Sequence, residues 1–304
     1  MQDPTAPLEP LGFEGEAPAQ PPRYKLFWKT LLHNWPALIS LAYLIFIIVV
    51  AIFASKLAPY PPNTPAPGAS FSPPSWSHPF GTDLFGRDIF SRVIYGSRIS
   101  LLVGFLSVVI GAVPGAALGM VAGLFGGRTE QVIMRVMDMA LAFPFILLAI
   151  LILAFFGPGV VNVMLAIGIG SVPTFARLTH AQTLSLREST YVEAARASGA
   201  GDTRLVIKHI LPNVLQTLTV YGTFNIPIAI LIEAGLDYLG LGVVPPTPTW
   251  GSIINEGRQS LLIGPWESIW PGVVIMLTVL AFNLFGEAVA NFLDPKSAMN
   301  QRAV

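Results

Sequence analysis

The chain contains no cysteine, which excludes disulfides, thiolate metal sites and cysteine nucleophiles while leaving its redox compartment open. Its four histidines, His33, His78, His180 and His209, are too scattered to form a histidine metal motif. Charge is also scarce: 11% of the 304 residues are Asp, Glu, Lys or Arg, against about 25% in soluble domains. Basic and acidic residues number 17 each, so no net field draws in nucleic acid or an acidic partner. Recognisable catalytic motifs are missing too. There is no G-x-x-x-x-G-K-S/T phosphate loop, no H-E-x-x-H zinc helix and no G-x-S-x-G nucleophile elbow.

Apolar sequence is what abounds, at 53% hydrophobic residues and a mean hydropathy of +0.65. The chain therefore reads as an integral membrane protein. A hydrocarbon layer about 30 Å thick needs roughly 20 apolar helical residues, and six segments qualify: 36 to 56, 98 to 123, 133 to 156, 160 to 180, 213 to 235 and 269 to 291. This predicts an all-α polytopic bundle with both termini on one side. Placing them in the cytoplasm puts 12 of the 17 Lys and Arg residues inside, as the positive-inside rule prefers. Segments 57 to 97 and 236 to 268 are then external. Residues 1 to 24 and 297 to 304 are expected to be cytoplasmic tails, the first without the basic start and apolar centre of a signal peptide and with a disordered composition. Between them lie a first span with its outer segment, 25 to 97, and a five-helix core, 98 to 296.

Gly111, Gly115, Gly119, Gly123 and Gly127 recur every fourth residue and form a small-residue seam, within one subunit or between two. Pro114, Pro144, Pro173 and Pro227 fall inside the predicted spans, where each removes a helix hydrogen bond that protein or water must replace.

Residues 190 to 213, T-Y-V-E-A-A-R-A-S-G-A-G-D-T-R-L-V-I-K-H-I-L-P-N, form a polar insert between apolar stretches. Thr190 and Glu193 fit a capping box, and Gly199 or Gly201 fits a helix stop. Asp202 or Thr203 then caps a second helix that ends near Pro212. Glu193 is thus either a capping partner or a contact residue. Glu233 and Asp237 share a face at the outer end of span five; they predict either a wet helix end or the border of a pathway that meets a cationic group. Asp138 is expected to pair with Arg135. A helix from His78 to Arg98 would be amphipathic, with its charges in internal ion pairs. G-A-G-D at 199 to 202 matches the G-x-G-D signature of intramembrane aspartyl proteases, although Asp202 lies in the polar insert.

Several stretches together carry a more specific signal. E-A-A at 193 to 195, Gly199 and I-L-P-N at 210 to 213 resemble the EAA loop of bacterial ABC importer membrane subunits. The H-I-L-P-N ending, H-P-F-G-T-D-L-F-G-R-D-I-F-S-R-V-I-Y-G-S-R-I-S-L at 78 to 101, and L-G-L-G-V-V-P-P-T-P-T-W-G at 239 to 251 resemble the oligopeptide/dipeptide branch. The likeness covers roughly residues 25 to 296. It implies a permease subunit with no nucleotide site of its own. Its partners would be a homologous second permease, two ATPase subunits that use ATP and Mg, an external binding protein and membrane lipid. It also implies that Glu193, Ala194, Ala195, Gly199 and Asp202 belong to a coupling element, 187 to 213, that docks the ATPase. It matches Glu233 but leads to a small polar residue at 237. A channel or signalling protein that docks another cytosolic partner is the alternative class.

Overall fold

A computed structural model describes residues 34 to 66 and 68 to 293; the expected tails lie outside the described residues. Five helices are long and apolar enough to cross a membrane, and a sixth crossing arises if one sharply bent pair counts as a single span.

The first helix, α1 (Trp35–Ile52), is capped by Asn34, whose side chain accepts the Ala37 amide. A short turn, α2 (Ala54–Leu57), ends the crossing. The long helix α3 (Ile89–Phe125) begins nine residues before the predicted span because Asp88 accepts the Ser91 amide and stops extension toward His78. Residues 78 to 88 form turns with a Thr82–Asp88 bridge, so the amphipathic helix expected across His78 to Arg98 is confined to its second half.

The third expected span is broken. Helix α4 (Gly127–Leu141) and helix α5 (Phe145–Phe156) meet at 88°. Pro144 sits at the corner because it disfavours helical geometry at Phe143 and serves as the first cap of α5. The bend coincides with a change of pattern, from the amphipathic α4 with Arg128, Glu130, Arg135 and Asp138 to the uniformly apolar α5. Pro114, Pro173 and Pro227 stay inside unbroken helices.

Helix α6 (Val160–Arg187) packs along α3 in the most extensive pairing of the bundle. The glycine seam makes this possible. A Cβ at Gly115 would lie 2.6 Å from the Phe175 Cβ, and one at Gly123 would lie 2.7 Å from the Thr183 Cβ. The seam from Gly111 to Gly123 is thus an intrachain contact. Gly127 is not part of it: it opens α4 with φ +56° and has open space where a Cβ would be.

Beyond α6 come α7 (Thr190–Ala197), α8 (Asp202–Leu205) and α9 (Leu211–Tyr238). Pro212 does not end the second helix of the insert. A π turn over Val206–Ile210 joins α8 to α9, and the Leu211 amide bonds to the Val206 carbonyl five residues back. The wider turn absorbs the amide that proline lacks and relieves its ring from the preceding turn. The last helices are α10 (Trp250–Gly257) and α11 (Trp266–Leu293); α11 packs against α1, where the Tyr43 hydroxyl meets Thr278.

Candidate functional site

The insert is an exposed platform on buried anchors. Val192, Leu205 and Ile210 are buried, whereas Glu193, Ala194, Gly199 and Asp202 are exposed and Ala195 is half-buried. Apolar side chains also face outward here: Tyr191 and Ile207 are 45% and 61% exposed.

The expected Thr190–Glu193 capping box is absent. Ser189 is the cap residue, no side chain caps the helix, and the Ser189 hydroxyl instead donates to the Leu186 carbonyl. Thr190 is therefore already inside the helix, and among the described residues the Glu193 carboxylate has no partner. At the other end, the Gly199 amide bonds to the Arg196 carbonyl and the Ala200 amide to the Ala195 carbonyl. With φ +84° at Gly199 this is the paired 5→2 and 6→1 pattern of a Schellman stop. Gly201, in place of Asp202 or Thr203, caps α8, with Asp202 favourably placed in the first turn. Asp202 lies 35 residues from Asp237 along one continuous helical segment, about 50 Å. That separation removes the paired-aspartate geometry of a membrane protease.

Glu233 and Asp237 are not at a wet helix end: they are 0% and 3% exposed, inside the chain's own fold. Asp237 accepts the Val243 amide at 2.6 Å and the Thr249 hydroxyl. Glu233 meets the Ser100 hydroxyl at 3.3 Å, and Ser100 in turn accepts the Trp250 amide at 3.2 Å. Thr249 and Ser252 form a reciprocal capping box at the start of α10, and the Trp250 indole donates to the Val93 carbonyl. The two carboxyl groups thus hold α10 against α3 and α9.

Of the charges between His78 and Arg98, Asp83, Arg87, Asp88 and Arg92 enter ion pairs as the sequence predicted, with one partner it did not reveal, while Arg98 instead donates to the Ala51 and Ile52 carbonyls. Arg87 bridges Asp83 and Glu256 at 2.5 Å each, and the nearly buried Arg92 reaches Glu256 at 2.9 Å. Glu256, on α10, lies more than 160 residues away in sequence and has no local motif. Oxygens of Asp83, Glu256 and Glu267 lie within 4.8 Å of one another, a spacing that could hold a metal ion. Two guanidinium groups already occupy Asp83 and Glu256, so the chemistry is that of an ion-pair network. On the opposite end of the bundle Asp138 pairs with Arg177 on α6 at 2.6 Å, not with Arg135, and Glu130 meets His180. Tertiary packing of α4 on α6 overrides the local spacing.

Fold and site together define a polytopic helical membrane protein with an exposed polar insert. Residues 115 to 298 match the family described as binding-protein-dependent transport system inner membrane component, and residues 23 to 74 match the N-terminal TM domain of oligopeptide transport permease C. The chain is 41% identical over 274 residues to the glutathione transport system permease protein GsiD of Pectobacterium atrosepticum, covering 90% of this chain and 91% of that protein. It is 43% identical over 282 residues to the di/tripeptide transport system permease protein DppC of Pseudomonas aeruginosa, covering 91% and 93%. A chain of the inward-facing MetNI methionine ABC transporter shares the fold at 20% identity and TM-score 0.57, covering 68% of this chain and 98% of that one. The protein belongs to the binding-protein-dependent transport permeases, as a multi-pass inner-membrane subunit of an ABC importer. In such an importer ATP is hydrolysed in separate subunits, alongside a partner permease and a substrate-binding protein.

Proposed function

We propose that this permease carries peptides of di- to tripeptide size or the peptide-like glutathione, and that it couples to two cytoplasmic ATPase subunits through residues 187 to 213. The relatives named for glutathione and di/tripeptide transport, matched along nearly the whole chain, support the solute class. Both termini and the insert face the cytoplasm in this reading, and the outer segments receive the loaded binding protein. Division into a first span with its outer segment, 25 to 97, and a core, 98 to 296, follows the same reading.

The observation that carries the coupling role is the uncommitted Glu193 on an exposed helix whose base is buried. Exposed Glu193, Ala194 and Gly199, with half-buried Ala195, present the docking face, and Asp202 flanks it. Since α8, the π turn and α9 form one continuous segment, a push that α7 passes across the Gly199–Gly201 turn to α8 travels along that segment to the Glu233 and Asp237 cluster. Those two residues then act as positioning residues for the outer helix α10, and their burial favours this over direct contact with solute. Alternating access follows if the ATP-bound and ATP-free ATPases stabilise different helix arrangements.

Copurification tests the docking role. Glu193→Ala and Glu193→Gln are both expected to reduce recovery of the ATPase subunits with the permease, because neither restores the carboxylate. Full recovery with both variants would leave Glu193 without a contact role.

A further inference from the structure

The break in the third span opens onto a cavity. Helix α5 has 12 residues, about 18 Å, so it crosses only part of a layer about 30 Å thick. Its first residue, Phe145, packs against Gly170, eleven residues into α6. The start of α5 thus lies partway along α6, with Phe145 half-buried against it and Ile146 and Leu147 exposed. Beside it lies a cavity of about 340 Å³, lined by Phe145 and Ile146 of α5, Ser107 of α3, Ser171 and Thr174 of α6, and Asn225 of α9. Ligand pockets span about 300 to 1,000 Å³.

Two independent observations point to an oxygen-bearing ligand. First, α5 has no side-chain cap; among the described residues, the amides of Phe145, Ile146 and Leu147 have no acceptor, and the first bond of the helix runs from Leu148 to Pro144. Uncapped amides and the positive end of the helix dipole favour a negative group. Second, the Ser107 hydroxyl is fully buried on the cavity wall and makes no hydrogen bond. Leaving such a group unpaired costs about 1–3 kcal/mol, so its partner is expected to come from outside the chain. The rest of the lining is mainly apolar, which keeps competing water scarce and strengthens a charge-assisted bond.

We infer that this cavity is a carboxylate subsite of the translocation path, in which the start of α5 and Ser107 hold the terminal carboxylate of the solute in passage. Broken helices aim their positive ends at substrate carboxylates in other transporter folds for the same electrostatic reason. The inference rests on the peptide reading above. The exposed insert and the outer ion-pair network play no part in it.

Its test uses the complete importer, with both permeases, the ATPases and the binding protein, in proteoliposomes, and two probes: alanyl-alanine and its C-terminal amide. Affinity of each probe for the binding protein is measured separately, and uptake is compared at saturation. Ser107→Ala removes the hydroxyl; Ile146→Pro removes one amide in the first turn of α5, where no intrahelical bond is lost. Each is expected to reduce the preference for the acid over the amide by about tenfold, the equivalent of one charge-assisted hydrogen bond. Ile146→Ala, which keeps the amide, is expected to retain that preference. An unchanged acid-to-amide ratio in both Ser107→Ala and Ile146→Pro would overturn the subsite while leaving peptide transport standing. Failure of the unaltered importer to carry either probe would overturn the peptide reading and the subsite with it.

Discussion

At Asp237 an amide and a hydroxyl converge on one buried carboxylate, and the outer loop depends on both. Asp237→Ala would orphan the Val243 amide and is expected to cost about 1–3 kcal/mol, seen as a lower melting temperature of the purified importer. Asp237→Asn retains one acceptor and is expected to lose less. Equal melting of the alanine variant and the unaltered protein would remove the structural role. Ion pairs divide in the same manner. Glu256→Ala leaves the buried Arg92 with only the longer 3.6 Å contact to Asp83 and is expected to destabilise clearly more than Asp138→Ala, whose pair with Arg177 is about half exposed and worth about 0–1 kcal/mol. The i,i+4 spacing of Glu233 and Asp237 was legible in the sequence, but their burial was not. Their partners Ser100 and Thr249 come from α3 and the cap of α10, which only tertiary packing brings together.

Among the elements, the glycines separate into those needed for space and those needed for backbone conformation. A Cβ at Gly119 would lie 2.3 Å from the Ala176 carbonyl, so Gly119→Val is expected to force α3 from α6 and lower stability by about 1–3 kcal/mol or more. Gly199 has open space but φ +84°, so Gly199→Ala is expected to cost about 1 kcal/mol through the left-handed turn, loosening the insert locally. Thermal unfolding reads the first; amide exchange in residues 190 to 205 reads the second. Long apolar runs revealed the spans and a polar interruption revealed the insert, because burial in lipid demands such composition. A hydropathy window that begins at Ile133 hides the break at Pro144, because it merges the end of the amphipathic α4 with the uniformly apolar α5. Nor did Pro212 mark a helix end: the π turn keeps the chain helical where proline ordinarily stops it. The capping box failed for a local reason, since Ser189, one residue earlier, takes the cap position.

Across the whole molecule, the second helix of the insert and the Glu233 and Asp237 cluster sit near opposite ends of one helical segment, Asp202–Tyr238. Under the proposed coupling role, that continuity would carry movement of α8 to the carboxylate cluster. Simultaneous measurement of ATP hydrolysis and peptide uptake by the reconstituted importer tests this directly, comparing unaltered protein with Glu193→Ala. Coupling through the insert predicts that loaded binding protein stimulates both rates in the unaltered importer and that Glu193→Ala lowers uptake and stimulated hydrolysis together. Undiminished uptake and stimulation in the variant, at equal assembly, would contradict it.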